Sequence, residues 1–248
     1  GVISSTATNG LVKQGGGTWS LSGTNTYTGT TALNAGVLKA ASARALGNNG
    51  AITVNANATL DLNGQTMTST GVLTLNGFGV NGNGAVINSS ATTATYAGSV
   101  TLGSSSSVIG GTGNISLTGG VTNPASAATL NLGGAVGGTL SGVGSGTNLL
   151  LTKIDAGTWT LTGGEGNGGN VSVNAGTLAV TGGGGFPNPS IVAVNNTGIL
   201  DISGVSGAGI TIYALSGNSS SAIVRIGGKA LTTQSSQSSS YAGTLESN

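Results

Sequence analysis

The chain has 248 residues and a formal net charge of +1, from six Lys plus Arg against five Asp plus Glu. Six cations over this length cannot form the basic stripe of a nucleic-acid binder, so no nucleic-acid partner is expected. Glycine supplies 49 residues, yet hydrophobic residues reach 37% and charge only 4%, the opposite of the balance that keeps a chain disordered.

The apolar residues fall into short alternating groups. In chain order these include TWSLSG (18–23), AITVNA (51–56), ATLDLNG (58–64), GVLTLNG (71–77) and SVTLG (99–103). NISLTGG (114–120), ATLNLGG (128–134), TWTLTGG (158–164) and NVSVNAG (170–176) follow, then GILDISG (198–204), GITIYA (209–214) and AIVRIGG (222–228). A period of two closed by Gly or Asn predicts short strands with one buried face. Only AASARALG (40–47) could form a helical turn, and a bulging loop fits it equally well. No apolar run reaches the length of a membrane helix. A chain that begins at Gly1 without a charged, apolar leader reads as a mature or excised fragment.

A shift of 140 aligns the chain with itself. Leu11 meets Leu151, Lys13 meets Lys153, and GTWSLSG (17–23) meets GTWTLTG (157–163). LNAGVL (33–38) meets VNAGTL (173–178), and ITVNANATLDLNG (52–64) meets VAVNNTGILDISG (192–204). Downstream the register slips by five, where SYAGTL (240–245) meets TYAGSV (95–100). The chain therefore reads as one continuous unit, 1–248, with an internal repeat of 1–140 and an incomplete second copy at 141–248. The repeat positions expected to build it are Trp19, Leu21, Asn34, Gly36, Leu60 and Leu62. Their counterparts are Trp159, Leu161, Asn174, Gly176, Leu200 and Ile202.

Many short strands suit a sandwich, barrel, propeller or solenoid. Very numerous strands, 3% aromatic content and Gly or Asn just after strands favour an all-β parallel β-helix, or β-solenoid. At roughly 20 residues per coil the chain would make about twelve coils, a rod on the order of 55–60 Å long. Asn34, Asn55, Asn174 and Asn195 sit where corner amides could stack from coil to coil. Raw sheet edges at both ends would invite an end-to-end neighbour.

Residues 11–47, LVKQGGGTWSLSGTNTYTGTTALNAGVLKAASARALG, resemble the autotransporter-associated β-strand repeat, also called the passenger-associated transport repeat. The second copy keeps LTK, GTWTLTG and VNAGTL but has EGNGG (165–169) in place of NTYTG, so Tyr27 reads as part of an adjustable surface corner. The resemblance implies a right-handed parallel β-helix in a secreted bacterial surface protein, usually an autotransporter passenger or adhesin. It implies an extracellular location, with an outer-membrane anchor, if any, outside this stretch.

Histidine and cysteine are absent, so Ser–His catalysis and thiolate chemistry are excluded. Asp61 and Asp201 occupy one repeat position and should point outward, too far apart for paired-carboxylate chemistry. No catalytic residue, cofactor or metal site is expected, and the chain reads as a non-enzyme. Lys13 and Lys153 read as solvated edge charges. Trp19 and Trp159 could form an aromatic platform for sugars, but W-x-L is the inward phase of a strand, which predicts both rings in the core.

Three functions remain: a structural or adhesive segment of a bacterial surface protein presenting loops to a cell-surface ligand, a subunit stacking end to end into an extracellular filament, and a glycan- or ice-binding solenoid using Thr arrays. TMTST (66–70) and TTAT (92–95) hint at the last, although T-x-T does not recur at one fixed coil position.

Overall fold

The computed structural model describes residues 1–5, 9–123, 127–143, 149–164, 169–186 and 190–247. Every strand pairing among them is parallel, and neighbouring strands are about one coil apart in sequence. The chain is a β-solenoid whose strands fall into three ladders.

The first ladder runs through Leu11, Thr31, Ile52, Leu73, Val100 and Val121. The second carries Trp19, Leu38, Leu60, Val86, Ile109, Leu132, Lys153, Val173 and Val194 in one column. The third carries Ala94, Ile115, Gly138, Trp159, Leu178, Leu200, Val224 and Leu245. Strand Val100–Gly111 bends around a corner and serves the first two ladders, joining them into one 15-stranded sheet.

Alternation produces this arrangement directly. In Ile52–Val54 and Val171–Val173 the outer residues of each triplet are buried and the middle one is half-exposed. Leu, Val and Ile stack in the lumen, with Trp159, Tyr27 and Tyr96 as its largest fully buried side chains. Burial of such columns at about 25 cal/mol per Å² drives the stacking, because one coil alone has no face to hide its apolar side.

The stack has about ten coils, as the longest strand path has ten members, and not twelve. The first coils advance almost evenly, from Leu11 to Thr31, Ile52 and Leu73, but the next rung is delayed to Val100. That longer coil accommodates a side loop with a 3-10 turn at Val80–Gly82. The rod is accordingly about 45 Å long. Segment 40–47 is a loop and not a helical turn: it closes through Ala45 N–H to Ser42 O and Gly47 N–H to Arg44 O, and tucks Ala45 and Leu46 into the core.

Candidate functional site: two lysine-clasped corners

A polar cluster surrounds each repeated lysine. In LVK and LTK the lysine stands two residues after an inward leucine, so it takes the inward phase itself. Lys13 is buried and Lys153 has no exposed surface, which overturns the expectation of solvated edge charges. The aliphatic stem packs in the core while the ammonium turns to the corner. Lys13 Nζ donates to Gln14 O at 3.2 Å, Gly15 O at 2.6 Å and Ala35 O at 2.9 Å. Lys153 Nζ donates to Ile154 O, to Asp155 O at 2.7 Å and to Ala175 O at 3.1 Å. An ammonium has three N–H donors, and here three carbonyls accept them. Two come from its own corner and one from the next coil, so each lysine fastens two coils together. Burial lowers the Lys153 pKa to about 8, with nearby Asp155 pulling the other way.

Gly36 and Gly176 lie against the same corners. Their φ angles are +72° and +62°. A Cβ on Gly36 would lie 2.5 Å from Gly17 O and 2.6 Å from Gly15 O; on Gly176 it would lie 2.4 Å from Asp155 O. Glycine is thus required twice, by the left-handed backbone and by the clasped carbonyls beneath. Just before them, Asn34 accepts from Asn55 Nδ2 at 2.8 Å and Asn174 from Asn195 Nδ2 at 3.1 Å. Each clasp therefore extends over three coils.

The two clasps occupy different corners of the rod. Strands Leu11–Lys13 and Thr18–Leu21 lie on the first and second ladders, whereas Leu149–Lys153 and Thr158–Leu161 lie on the second and third. The shift between the two copies spans whole coils plus one face. The repeat is a corner cassette, indifferent to the face on which it falls.

Leu21, Leu60, Leu62, Leu161, Leu200 and Ile202 are buried in the lumen. Trp159 is fully buried, and its indole Nε1–H donates to Gly133 O at 2.8 Å. Trp19 departs from the expectation: it is 39% exposed because strand Thr18–Leu21 is the outermost of its ladder. Tyr27 departs in the other direction. It is 2% exposed, its hydroxyl shares a 2.8 Å hydrogen bond with Thr31 Oγ1, and burial raises its pKa. The second-copy segment that replaces it, at 165–168, lies outside the described residues, as does Glu165.

Asp61 is also buried, against the expected outward exposure. Its carboxylate accepts from Ser89 Oγ at 2.6 Å and from the N–H groups of Asn63 and Ser89, with Lys39 at 3.8 Å. Asp201 is half-exposed, and Arg225 reaches it at 3.5 Å and Glu246 at 3.3 Å. Lys39 with Asp61, and Asp201, Arg225 and Glu246, are in-register neighbours, so these ion pairs also run from coil to coil.

The outer side of the third ladder carries a hydroxyl array that sequence spacing concealed. Thr95, Ser116, Thr139 and Thr160 stand in register. Two residues further on, Thr118, Ser141 and Thr162 follow the inward Leu117, Leu140 and Leu161, which are themselves in register. Against the expectation from sequence, S-x-T, T-x-S and T-x-T therefore recur at one fixed coil position. The period was hidden because the coils that separate these rungs differ in length. Thr66, from TMTST, joins this face through a bridge to Thr95.

A surface groove of about 550 Å³ runs over Ile87, Gly110, Gly134 and Ile154 on the second ladder. Its one carboxylate, Asp155, is already bound by the Gly134 N–H at 2.9 Å. Among the described residues, no three His, Cys, Asp or Glu side chains cluster as metal ligands, and no helix is long and apolar enough to cross a membrane. The polar groups of the two corners are arranged to hold coils together.

The passenger-associated-transport-repeat family model matches residues 11–40 and 151–180, the two lysine-clasped cassettes. No curated protein and no solved structure matches the chain.

Proposed function

Because this chain carries two passenger-associated transport repeats, we propose that it is a structural rod segment in the passenger of a secreted bacterial surface protein, displayed outside the cell. The observation that carries this reading is the paired clasp. In both repeats one hydrogen bond of the buried lysine and the asparagine pair beside it fasten coil to coil, a use suited to a stalk that must stay stiff and hold surfaces away from the cell. Its role is mechanical and adhesive, and its chemistry is confined to hydrogen bonding. The test is display: the chain is placed between a secretion signal and an outer-membrane β-barrel in a Gram-negative host. Labelling of intact cells by an antibody to the chain, lost after external protease, is the expected result. A chain that stays inside the envelope sinks the reading.

The hydroxyl array on the third ladder favours a second reading, in which this face binds an ordered lattice of hydroxyls such as ice or a crystalline glycan. Its rungs are about 4.8 Å apart, and hydroxyls two residues apart along a strand are about 6.7 Å apart. Replacing Thr139 by Tyr should abolish ice shaping or retention on insoluble polysaccharide, while Thr53→Tyr on the first ladder should leave it. Failure of the unmodified chain in both assays excludes this second reading.

A further inference from the structure

The side loop of the long coil is rigidly seated and stands beside the groove on the second ladder. Thr59 is buried beneath it: its Oγ1 accepts from the Val80 N–H at 2.9 Å and donates to Gly84 O at 2.8 Å. The loop closes through Gly84 N–H to Phe78 O at 2.8 Å. Gly79 has φ +77°, and a Cβ there would lie 1.9 Å from Gly84 O, so glycine is needed where the two ends of the loop meet. The loop is therefore held in one shape before any ligand arrives. It displays Phe78, 50% exposed, and sets Gly82 and Asn83 along the groove.

Register shapes the floor of that groove. Ile87 stands in register with Gly110. Gly133 and Ile154 follow the in-register Leu132 and Lys153 and continue the same outward column. Two rungs without a side chain, between two isoleucines, leave a trough about 14 Å long at the interstrand spacing. Asn83, Thr112 and Asp155 stand around it with exposed side chains. The Gly134 N–H holds one Asp155 carboxylate oxygen at 2.9 Å, which aims the group and leaves the other oxygen to accept. The charges here are balanced. Asp155 sits over the Lys153 clasp, and Lys39, which reaches Ser89 Oγ at 3.4 Å on the rim, pairs with Asp61 at 3.8 Å.

We infer that Phe78 and this groove form one binding site for a short, neutral, linear glycan. The ring face of Phe78 offers apolar surface to the C–H face of a sugar, and the glycine floor with its isoleucine walls continues that surface. The Asn83 amide and the Asp155 carboxylate are the convergent polar groups that fix hydroxyls, in a groove within the usual range of about 300–1,000 Å³ for small-ligand sites. Balanced charge gives an anionic chain no net attraction. A peptide finds no main-chain partner, because the strands beneath, Val86–Asn88, Val100–Gly111, Ala128–Leu132 and Leu149–Lys153, are paired on both sides. The site gives the adhesive role proposed above a ligand, and it uses neither surface display nor the hydroxyl array of the third ladder.

The test applies the purified chain to immobilised neutral linear trisaccharides and to their sialylated and sulfated counterparts. Retention on neutral members is expected. Phe78→Ala should weaken it by about tenfold or more, the loss that a central aromatic contact brings. Asn83→Ala should weaken it by about threefold, the loss of one hydrogen bond. Phe78→Tyr keeps the ring and should bind as the parent does, and so should Thr139→Tyr on the third ladder. Both truncated side chains are exposed, and unchanged far-UV circular dichroism shows that the stack is intact. Retention on no neutral glycan overturns the inference, as does stronger retention on the sialylated or sulfated members. So does parental binding by Phe78→Ala and Asn83→Ala, or loss of binding in Thr139→Tyr, which moves the ligand to the third ladder. Labelling of the chain on intact cells is unaffected by any of these outcomes and tests display separately.

Discussion

A lysine ammonium inside a β-solenoid is tolerated only if its donors are met, and Lys153 meets all three with backbone carbonyls. Lys153→Met keeps the stem's packing but strands Ile154 O, Asp155 O and Ala175 O around an apolar tip. Each buried unsatisfied carbonyl costs about 1–3 kcal/mol, so the variant should lose at least about 2 kcal/mol of stability in chemical denaturation. Equal stability of variant and parent would show that water replaces the ammonium. The same burial sets a pH dependence. Below pH 8 the folded chain bears the full cost of a buried charge; between about 8 and the ordinary lysine value of 10.5 the folded state has shed a proton that the unfolded state keeps. The unfolded state then binds more protons, so stability rises with pH. Tyr27 and Tyr96 act in the opposite sense, because burial raises their pKa above the ordinary 10.0 and unfolding releases their protons first. The melting temperature should climb from pH 8, peak near 10 and fall beyond it. Lys153→Met should lack the rising limb and keep the fall.

At the scale of the corner, glycine and lysine act together, since Gly176 leaves room for the carbonyl that Lys153 binds. Gly176→Ala combines a left-handed φ with a contact 2.4 Å from Asp155 O. The backbone strain of about 1–2 kcal/mol and overpacking of about 1–3 kcal/mol predict a loss of about 2–5 kcal/mol. Gly183→Ala, with φ outside the left-handed region and nothing within 4 Å of its Cβ, should change stability little. A thermal melt of the two variants checks the contrast. These corners also show what could be read without coordinates. Period-two alternation located the strands and the lumen leucines, because an inward Leu and an outward Thr differ in hydropathy. The same alternation puts Lys13 and Lys153 in the inward phase, which their charge alone does not reveal. What rescues the buried charge is backbone carbonyls from a neighbouring coil, which have no signature in sequence. Tyr27 differs from the surface corner that sequence suggests for a related reason: its partner Thr31 and the close approach of Gly47 depend on how the corner folds back. Trp19 followed the alternation, and its exposure comes from its position at the edge of the stack.

Across the whole molecule the property that matters is phase. Contacts run from each coil to the next, so stability is close to a sum of coil and interface terms, and coils are interchangeable if the columns stay aligned. The two clasps, one face apart, show that the local cassette does not dictate its face; the length of chain between cassettes does. Deleting Thr53–Leu73 removes one whole coil and joins Ile52 to Thr74, which stands in register with Thr53. Leu38 then stacks on Val86 in place of Leu60, and both outer columns stay continuous. The shortened chain should fold to a rod about 5 Å shorter, with strand content per residue unchanged by far-UV circular dichroism. Deleting only Thr53–Leu62 puts the following strands on the wrong side of the coil, presenting inward leucines to solvent, and should give an aggregating chain. If both deletions fold equally well, the ladders can re-register freely, and the column alignment is not what specifies the fold. If neither folds, the coils are coupled beyond nearest neighbours, and the long bent strand Val100–Gly111, which joins two ladders, is the element to suspect.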